Sequence, residues 1–458
     1  MINIHTHIFT CQDVPVDFLK DSLNAPNWLK RKAIRMLQAG GWQQGLILKL
    51  LKKTGEGKKF EAFVRVGISK SMEEVFELLN ENGLYPEGTK FIALPMQFEH
   101  MGAGFCEQNS YNDQLNLLLK ARKIYPQILP FFAIDPRMAS TTLDLAIIVR
   151  EHMNMSLPIR KNESGQTEFI RAFFGIKLYP SLGFFPYDPM LYKMYQYAAE
   201  FDLPIMTHTS RGGVNYLGNR SSLPTINNPQ SFKRIDPCLL PYGSDPKNPL
   251  KEPKYKYPGI SDPKVENKDF CDYFLDPENY VDAIEEFNTL KICFAHFGSD
   301  HELAKKLGID LGDFKYAGQG ERSDTWIDKV LSLLKNEKYP NLFTDISYTL
   351  VHSEFNKLVK DEIEKDLKIN GTSNLDKRLI SKVMFGTDFF MAYQEENTTE
   401  RTLFEKAQAD YINIDSNMYP LITSLGDNVL WAFLTEKNPL RYISSKLYDP
   451  NANPVYYA

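Results

Sequence analysis

Two histidines one residue apart stand near the start of the chain, His5 and His7 in INIHTH (2–7). If that segment is a strand, residues i and i+2 project from one face. The two imidazoles then sit about 7 Å apart along the strand and can converge on one cation. A surface pair would have the same spelling, so the reading needs partners. His208 follows the apolar run LPIMT (203–207), His296 follows KICFA (291–295), and Asp388 ends VMFGTD (383–388). Singly, each has a plain explanation: a hydrogen-bonded polar residue for the histidines, a cap on the following turn for the aspartate. Together they are a set. The chain has 8 histidines, and four of them occupy equivalent places at strand ends. Imidazole and carboxylate ligands suit Zn²⁺, Fe²⁺, Mn²⁺ or Co²⁺, and a catalytic site of that kind keeps a position open for water.

Two cations by charge join the candidates. Lys177 lies inside the apolar run FFGIKLYP (173–180), where an ammonium is costly unless paired or modified. An ion pair with a neighbouring Asp or Glu is its ordinary explanation. Arg137 ends another run, ILPFFAIDP (128–136), and its planar fork could grip an anionic substrate or bridge to a neighbouring loop. His100 and His301 fall just after apolar runs and read as loop residues.

Positioning such a set requires strands that end on one face. Eight short apolar segments rich in branched and aromatic residues recur along the chain: 2–9, 91–98, 128–136, 173–180, 203–210, 291–298, 341–348 and 382–390. Each has the length of a buried strand. Helical patterns lie between them, for example at 112–124, 191–201, 280–290 and 326–336. Strands alternating with helices imply a parallel sheet, and eight such units imply a closed (β/α)8 barrel of one domain spanning 1–458. Two connections are longer than ordinary loops, at about 10–89 and 211–276. Both follow the carboxyl end of a strand, the face where barrels build their sites, and both are expected to cover the site. The stretch 399–443 reads as closing helices.

The composition agrees with a large buried core: 458 residues, 43% hydrophobic and 24% charged. A net charge of −5 gives no footprint for nucleic acid. The five cysteines, Cys11, Cys106, Cys238, Cys271 and Cys293, are scattered, which fits neither a disulfide framework nor a thiolate zinc site. The segment MINIHTHIFT carries no signal-like apolar core, no apolar run reaches the roughly 18 residues of a membrane span, and cleavage of a leader would remove His5 and His7. The expectation is a cytoplasmic protein acting on a small molecule, with no nucleic-acid or membrane partner; a homo-oligomer is compatible with all of this.

The order of these motifs resembles the amidohydrolase superfamily: H-x-H on strand one, His after strands five and six, Asp after strand eight. Gly175-Ile176-Lys177-Leu178-Tyr179-Pro180, Ala295-His296-Phe297-Gly298 and Phe385-Gly386-Thr387-Asp388 are similar to its amidohydrolase-related branch, as are Asp135-Pro136-Arg137 and Thr344-Asp345-Ile346-Ser347. The resemblance implies that His5, His7 and His208 bind a divalent metal, most simply zinc, with Mn, Fe or Co as alternatives. Asp388 is then a ligand, the base for water, or both. His296 stabilises or protonates the reacting group or binds a second metal. Lys177 either carries a carbamate bridging two metals or meets a substrate carboxylate. A bound cation lowers the pKa of water toward about 7 and polarises a carbonyl. The implied activity is hydrolysis of a C–N or C–O bond in an amide, cyclic amide or lactone. Decarboxylation of an unsaturated or aromatic acid is the alternative, and a non-catalytic metal-binding barrel the third reading. TatD-like nucleases differ by a glutamate where this chain has Lys177, and the polymerase-and-histidinol-phosphatase-like phosphoesterases by a larger His/Asp set.

Overall fold

A computed structural model describes residues 1–20, 26–40, 44–45, 64–161, 164–219, 272–311, 314–394 and 398–448. Each of the eight apolar runs contributes one strand: β1 (Ile2–His7), β2 (Lys90–Leu94), β3 (Ile128–Ile134), β4 (Gly175–Leu178), β5 (Pro204–Thr207), β6 (Lys291–Phe294), β7 (Leu342–Asp345) and β8 (Val383–Met384). They form one sheet in chain order, and every pairing along it is parallel. The ends of the sheet meet. Ile4 N–H donates to Phe385 O (3.1 Å), Asp388 N–H to His5 O (2.9 Å) and His7 N–H to Phe389 O (3.0 Å), so the segment past β8 closes the barrel onto β1.

The strands are shorter than the runs that announce them. The ladder stops at Thr207, Phe294 and Met384, and the residues beyond turn out of register, which leaves His208, His296 and Asp388 on loops at the rim. Helices return the chain on the outside. Among them are α1 (Asn27–Ala39) and α2 (Met72–Leu79) after β1, α3 (Tyr111–Ile124) after β2, α4 (Thr142–Met153) after β3, α5 (Tyr192–Glu200) after β4, α6 (Val281–Glu286) after β5, α7 (Asp300–Leu307) and α8 (Trp326–Lys335) after β6, α9 (Ser353–Asn370) after β7 and α10 (Glu400–Ile412) after β8. The expected helices at 112–124, 191–201 and 326–336 are α3, α5 and α8; that at 280–290 is a 3₁₀ turn followed by α6. Ser110 and Thr325 start α3 and α8 with capping boxes to Asp113 and Asp328, each cap contributing about 1 kcal/mol. An antiparallel hairpin, Ser156–Lys161 with Thr167–Arg171, precedes β4 and was not foreseen.

Apolar side chains divide into two groups. One lies between strands and helices. The other fills the barrel interior with Ile2, Ile4, Ile92, Leu129, Phe131, Met206, Phe343 and Met384, and Tyr442 closes it from the amino-terminal end. That assignment exposes a feature of β1. Plain alternation would put Ile2 and Ile4 on the face opposite His5 and His7. Instead Asn3 pairs with Phe91 and Thr6 with Ala93, so β1 spends three residues where β2 spends two. The extra residue is a bulge, which reverses facing along a strand. Ile2 and Ile4 fill the interior, and His5 and His7 continue on the same inner side. The displaced His5 N–H finds the side-chain oxygen of Asn3 (3.2 Å).

The two long connections lie after β1 and β5 as expected. Described parts of both meet over one rim: Asp17 N–H donates to Ala103 O (3.0 Å), Leu217 N–H to Met101 O (2.7 Å), and Lys20 Nζ to Leu217 O (2.7 Å). Most of 211–276, including Cys238 and Cys271, lies outside the described residues. Cys11, Cys106 and Cys293 are free thiols. Among the described residues no helix is long and apolar enough to cross a membrane. Tyr442 is fully buried and its hydroxyl meets no hydrogen-bond partner. Tyr442→Phe is therefore expected to keep or slightly raise the melting temperature, whereas Tyr442→Ala, by opening a cavity, should lower stability by about 3–5 kcal/mol in denaturant titrations.

Candidate functional site

The barrel brings His5, His7, His208, His296 and Asp388 to one rim. His5 Nε2 lies 3.3 Å from Asp388 Oδ1 and His7 Nε2 lies 3.2 Å from the same oxygen. His296 Nε2 lies 3.2 Å from His208 Nδ1. The His5 and His296 rings are 4.6 Å apart, and ligand atoms of His5, His296 and Asp388 fall within 4.8 Å of one another. Lys177 is fully buried in β4 beside them.

Hydrogen accounting says what this cluster lacks. His7 Nδ1 faces Leu94 O at 3.1 Å, and a carbonyl only accepts, so the ring hydrogen sits on Nδ1 and Nε2 carries a lone pair. His5 Nδ1 faces the Asp345 carboxylate at 3.1 Å, which leaves its Nε2 bare in the same way. Asp388 Oδ1 adds a third acceptor. No hydrogen lies among the three, and both His5 Nε2 and Asp388 Oδ1 are buried without a hydrogen-bond partner. The second pair repeats the pattern. His208 Nε2 donates to Gly212 O (2.8 Å) and His296 Nδ1 faces Ser347 O (3.3 Å), so the two nitrogens that approach each other both bear lone pairs. Converging acceptors of this sort repel unless a cation lies between them.

Protonation of His5, His208 or His296 does not supply that cation. Burial, and next the charge of Lys177, push His5 well below its ordinary range and bring His208 down to about 3. Burial, then His5 and His208, hold His296 well below it too. Lys177 is drawn down to about 8, burial outweighing the attraction of Asp345 and Asp388. Its Nζ has no hydrogen-bond partner and lies 5.5 Å from the Tyr179 ring centre; Tyr179 in turn stacks on His208 at 4.1 Å.

The backbone is bent to hold these groups. His296 and Asp388 have φ of 65° and 56°, and Phe297, Ser299 and Tyr348 nearby are also positive. Such conformations cost roughly 1–3 kcal/mol each and persist where surroundings over-determine them. Here the anchors are His296 N–H to Asp345 Oδ1 (3.1 Å) and Asp388 N–H to His5 O (2.9 Å). Gly386 supplies clearance, since a Cβ there would lie 2.7 Å from the Cβ of His5.

Behind the rim, Asn3 turns outward and Nδ2 donates to Thr387 Oγ1 (2.9 Å) and Tyr85 OH (3.2 Å). Thr387 Oγ1 donates to Glu400 Oε1 (2.8 Å), and Tyr85 OH donates to the same oxygen. This buried network ties the β1 bulge, the turn before Asp388 and α10 together.

Other expected residues are engaged elsewhere. The Arg137 fork closes on Asp135 (Nε to Oδ1 2.7 Å) and donates to Leu182 O (2.8 Å), the loop-bridging arrangement. His301 meets Glu302 at 3.2 Å and Tyr316 OH at 2.9 Å. Sequence reasoning assigned no role to Asp345 and Ser347, which touch His5 and His296, or to the Asn3–Glu400 network. A fully buried Asp at the end of β7 was the available signal, by the same logic that singled out Asp388.

No family model matches the chain, and no curated protein matches it in sequence. Solved structures do align along its length. An uncharacterized TIM-barrel protein from Bordetella bronchiseptica is 12% identical with a TM-score of 0.43, covering 97% of this chain and 98% of that one. A probable 2-pyrone-4,6-dicarboxylic acid hydrolase from Acinetobacter baumannii, with citric acid bound, is 12% identical with a TM-score of 0.45, covering 96% and 98%. A 5-carboxyvanillate decarboxylase from Novosphingobium aromaticivorans, complexed with manganese, is 11% identical with a TM-score of 0.43, covering 96% of each chain. None of these likenesses bears on the reaction of this chain.

Burial raises Glu400 from 4.5 to about 7, against the hydrogen bonds from Tyr85 and Thr387. A carboxyl whose folded pKa is raised contributes stability that is complete below its unfolded value and is lost as pH rises through the folded one. The melting temperature should thus fall between pH 5 and pH 8. Glu400→Gln should flatten that part of the profile, and an unchanged slope would remove Glu400 as its source.

Proposed function

We propose that the chain is a divalent-cation-dependent hydrolase of the amidohydrolase superfamily, cleaving a C–N or C–O bond in an amide, cyclic amide or lactone of a small molecule. The observation that carries this is the hydrogen-free convergence of His5 Nε2, His7 Nε2 and Asp388 Oδ1 at the carboxyl rim of the barrel. These three would hold the cation, and imidazole with carboxylate fits zinc first, then Mn, Fe or Co. When bound, the ion would acidify a water toward a pKa of about 7 and polarise the substrate carbonyl.

The chain's own groups account for the rest. Asp388 would take the proton of the attacking water at a carboxylate oxygen, beside the His5 and His7 rings. His208 Nδ1 would join the ligand set, or pair with His296 Nε2 to hold a second ion. In the one-ion arrangement His296 is left to bind or protonate the leaving atom. Lys177, with its pKa drawn down to about 8, has a neutral fraction able to take up CO₂ as a carbamate and so bridge two ions. The connections at about 10–89 and 211–276 would cover the rim and exclude water, and the free thiols favour a reducing compartment, the cytoplasm.

The unpartnered Nζ of Lys177 also supports a second reading. A carboxylate on the substrate would compensate that buried charge, which suits decarboxylation of an unsaturated or aromatic acid by the same residues. In that case Lys177, and Arg137 if its fork opens from Asp135, would hold carboxylates.

Elemental analysis of protein purified without chelator in bicarbonate-containing buffer separates these arrangements. Near two ions per chain is expected for the carbamate bridge and should drop to one in Lys177→Met. Near one favours the single-ion site and brings CO₂ release alongside hydrolysis as an assay; none after supply of Zn²⁺ or Mn²⁺ would overturn the proposal. Asp388→Asn should abolish turnover and weaken metal retention while leaving the metal-free protein as stable as before or more so, because its amide places a donor among the lone pairs.

A further inference from the structure

Asp345 ends β7 without exposure to solvent, and each of its hydrogen-bond partners below can offer it a hydrogen. Oδ1 accepts from His296 N–H (3.1 Å), Ser347 N–H (3.0 Å) and the Ser347 hydroxyl. Oδ2 faces His5 Nδ1 (3.1 Å) and the Cys293 thiol (3.7 Å). Ser347 is equally committed. Its one hydroxyl hydrogen goes to Asp345, so toward other groups Oγ can only accept, and two ring nitrogens approach it: His5 Nδ1 at 3.1 Å and His296 Nδ1 at 2.9 Å. One donor and two acceptances saturate a hydroxyl.

We propose that Asp345 and Ser347 are positioning residues that lock His5 and His296 together in the Nδ1–H tautomer, so that both rings present a bare Nε2 to the rim. The proposal rests on the cation-binding reading for its purpose, but the device itself is a property of the metal-free chain. Each ring is fixed twice. His5 is held by the carboxylate and the hydroxyl, His296 by the hydroxyl and by Ser347 O (3.3 Å). The hydroxyl is shared, so one serine couples the orientation of a ring in the His5–His7–Asp388 group to that of a ring in the His208–His296 pair. Groups that orient metal-binding histidines through the far ring nitrogen typically matter 10–100-fold in metal affinity.

Asparagine at 345 is the discriminating change. Three donors already crowd the Oδ1 position, so the amide oxygen must stay there and the NH₂ must take the Oδ2 place, facing His5 Nδ1. Toward that amide the nitrogen can only accept, and the Ser347 hydroxyl, already approached by His296, is the acceptor left to a hydrogen there. The hydrogen moves to His5 Nε2, among the acceptors at the rim.

The test is nitrogen-15 NMR of the full-length, metal-free protein labelled at histidine, where ring shifts and long-range proton couplings distinguish the tautomers, alongside titration with Co²⁺. Wild-type protein is expected to show Nδ1–H for His5 and His296 and Nε2–H for His208. In Asp345→Asn the His5 signal should switch to Nε2–H and Co²⁺ affinity fall at least tenfold. Ser347→Ala should keep the His5 tautomer, held by Asp345, but lose about tenfold in Co²⁺ affinity. An Nε2–H signal for His5 or His296 in the wild type overturns the proposal without any variant having to fold. So does an Asp345→Asn protein that keeps Nδ1–H on His5, and a Ser347→Ala protein with wild-type Co²⁺ affinity removes Ser347 from it. If wild-type protein shows the stated tautomers yet takes up no cation, the locking device stands and the metal reading fails.

Discussion

Everything at the carboxyl rim is organised around lone pairs that face one another with no hydrogen between them. Nitrogens of four histidines and an oxygen of Asp388 meet as acceptors, and burial keeps His5, His208 and His296 from relieving the conflict by taking protons. An arrangement so unfavourable in isolation must be enforced from outside itself. The enforcement is visible in the acceptors that hold each ring by its far nitrogen and in the positive-φ turns at His296 and Asp388. It is visible again in Gly386, whose missing Cβ leaves space for His5.

The bulge in β1 is the second constraint, and it serves both ends of the barrel. Without the extra residue, Ile2 and Ile4 could fill the interior or His5 and His7 could face the rim, but not both. With it, one six-residue strand supplies both the floor of the barrel and two histidines of the rim. Asn3 is placed to stabilise the irregularity from two sides, its oxygen on the freed His5 amide and its nitrogen in the network with Thr387 and Tyr85.

How much of this could be read from the chain depends on which physical signal a feature leaves. The eight strands and the rim residues left a strong one, since a His, Asp or Lys in an apolar run is a desolvation cost that stands out against its neighbours. All five of His5, His7, His208, His296 and Asp388 do come together, and Lys177 is buried beside them. The bulge left none, because register belongs to a pair of strands and β1 alone reads as plain alternation. Strand ends were overextended because the apolar character continues past the regular ladder, as at Phe389 and Phe390 after β8. The hairpin before β4 carries few buried residues and so no periodicity to find. Arg137 had both an anionic substrate and a loop bridge open to it; its fork meets the carboxylate two residues away. Asp345 and Ser347 were visible as a motif, but their work is to orient other residues, and that appears only once the partners are placed.

The closure of the barrel also sets a timetable. Asn3 bonds Thr387 across 384 residues of chain, and the first strand has its second neighbour only after the last has been made. At about 5–20 residues per second of synthesis, His5 and His7 emerge twenty seconds to more than a minute before Asp388 exists. Until then β1 has one strand neighbour in the sheet, and the oxygen that faces both His5 and His7 is missing. A chain that stops short of Asp388 thus lacks the last member of the rim group, however much of the barrel precedes it.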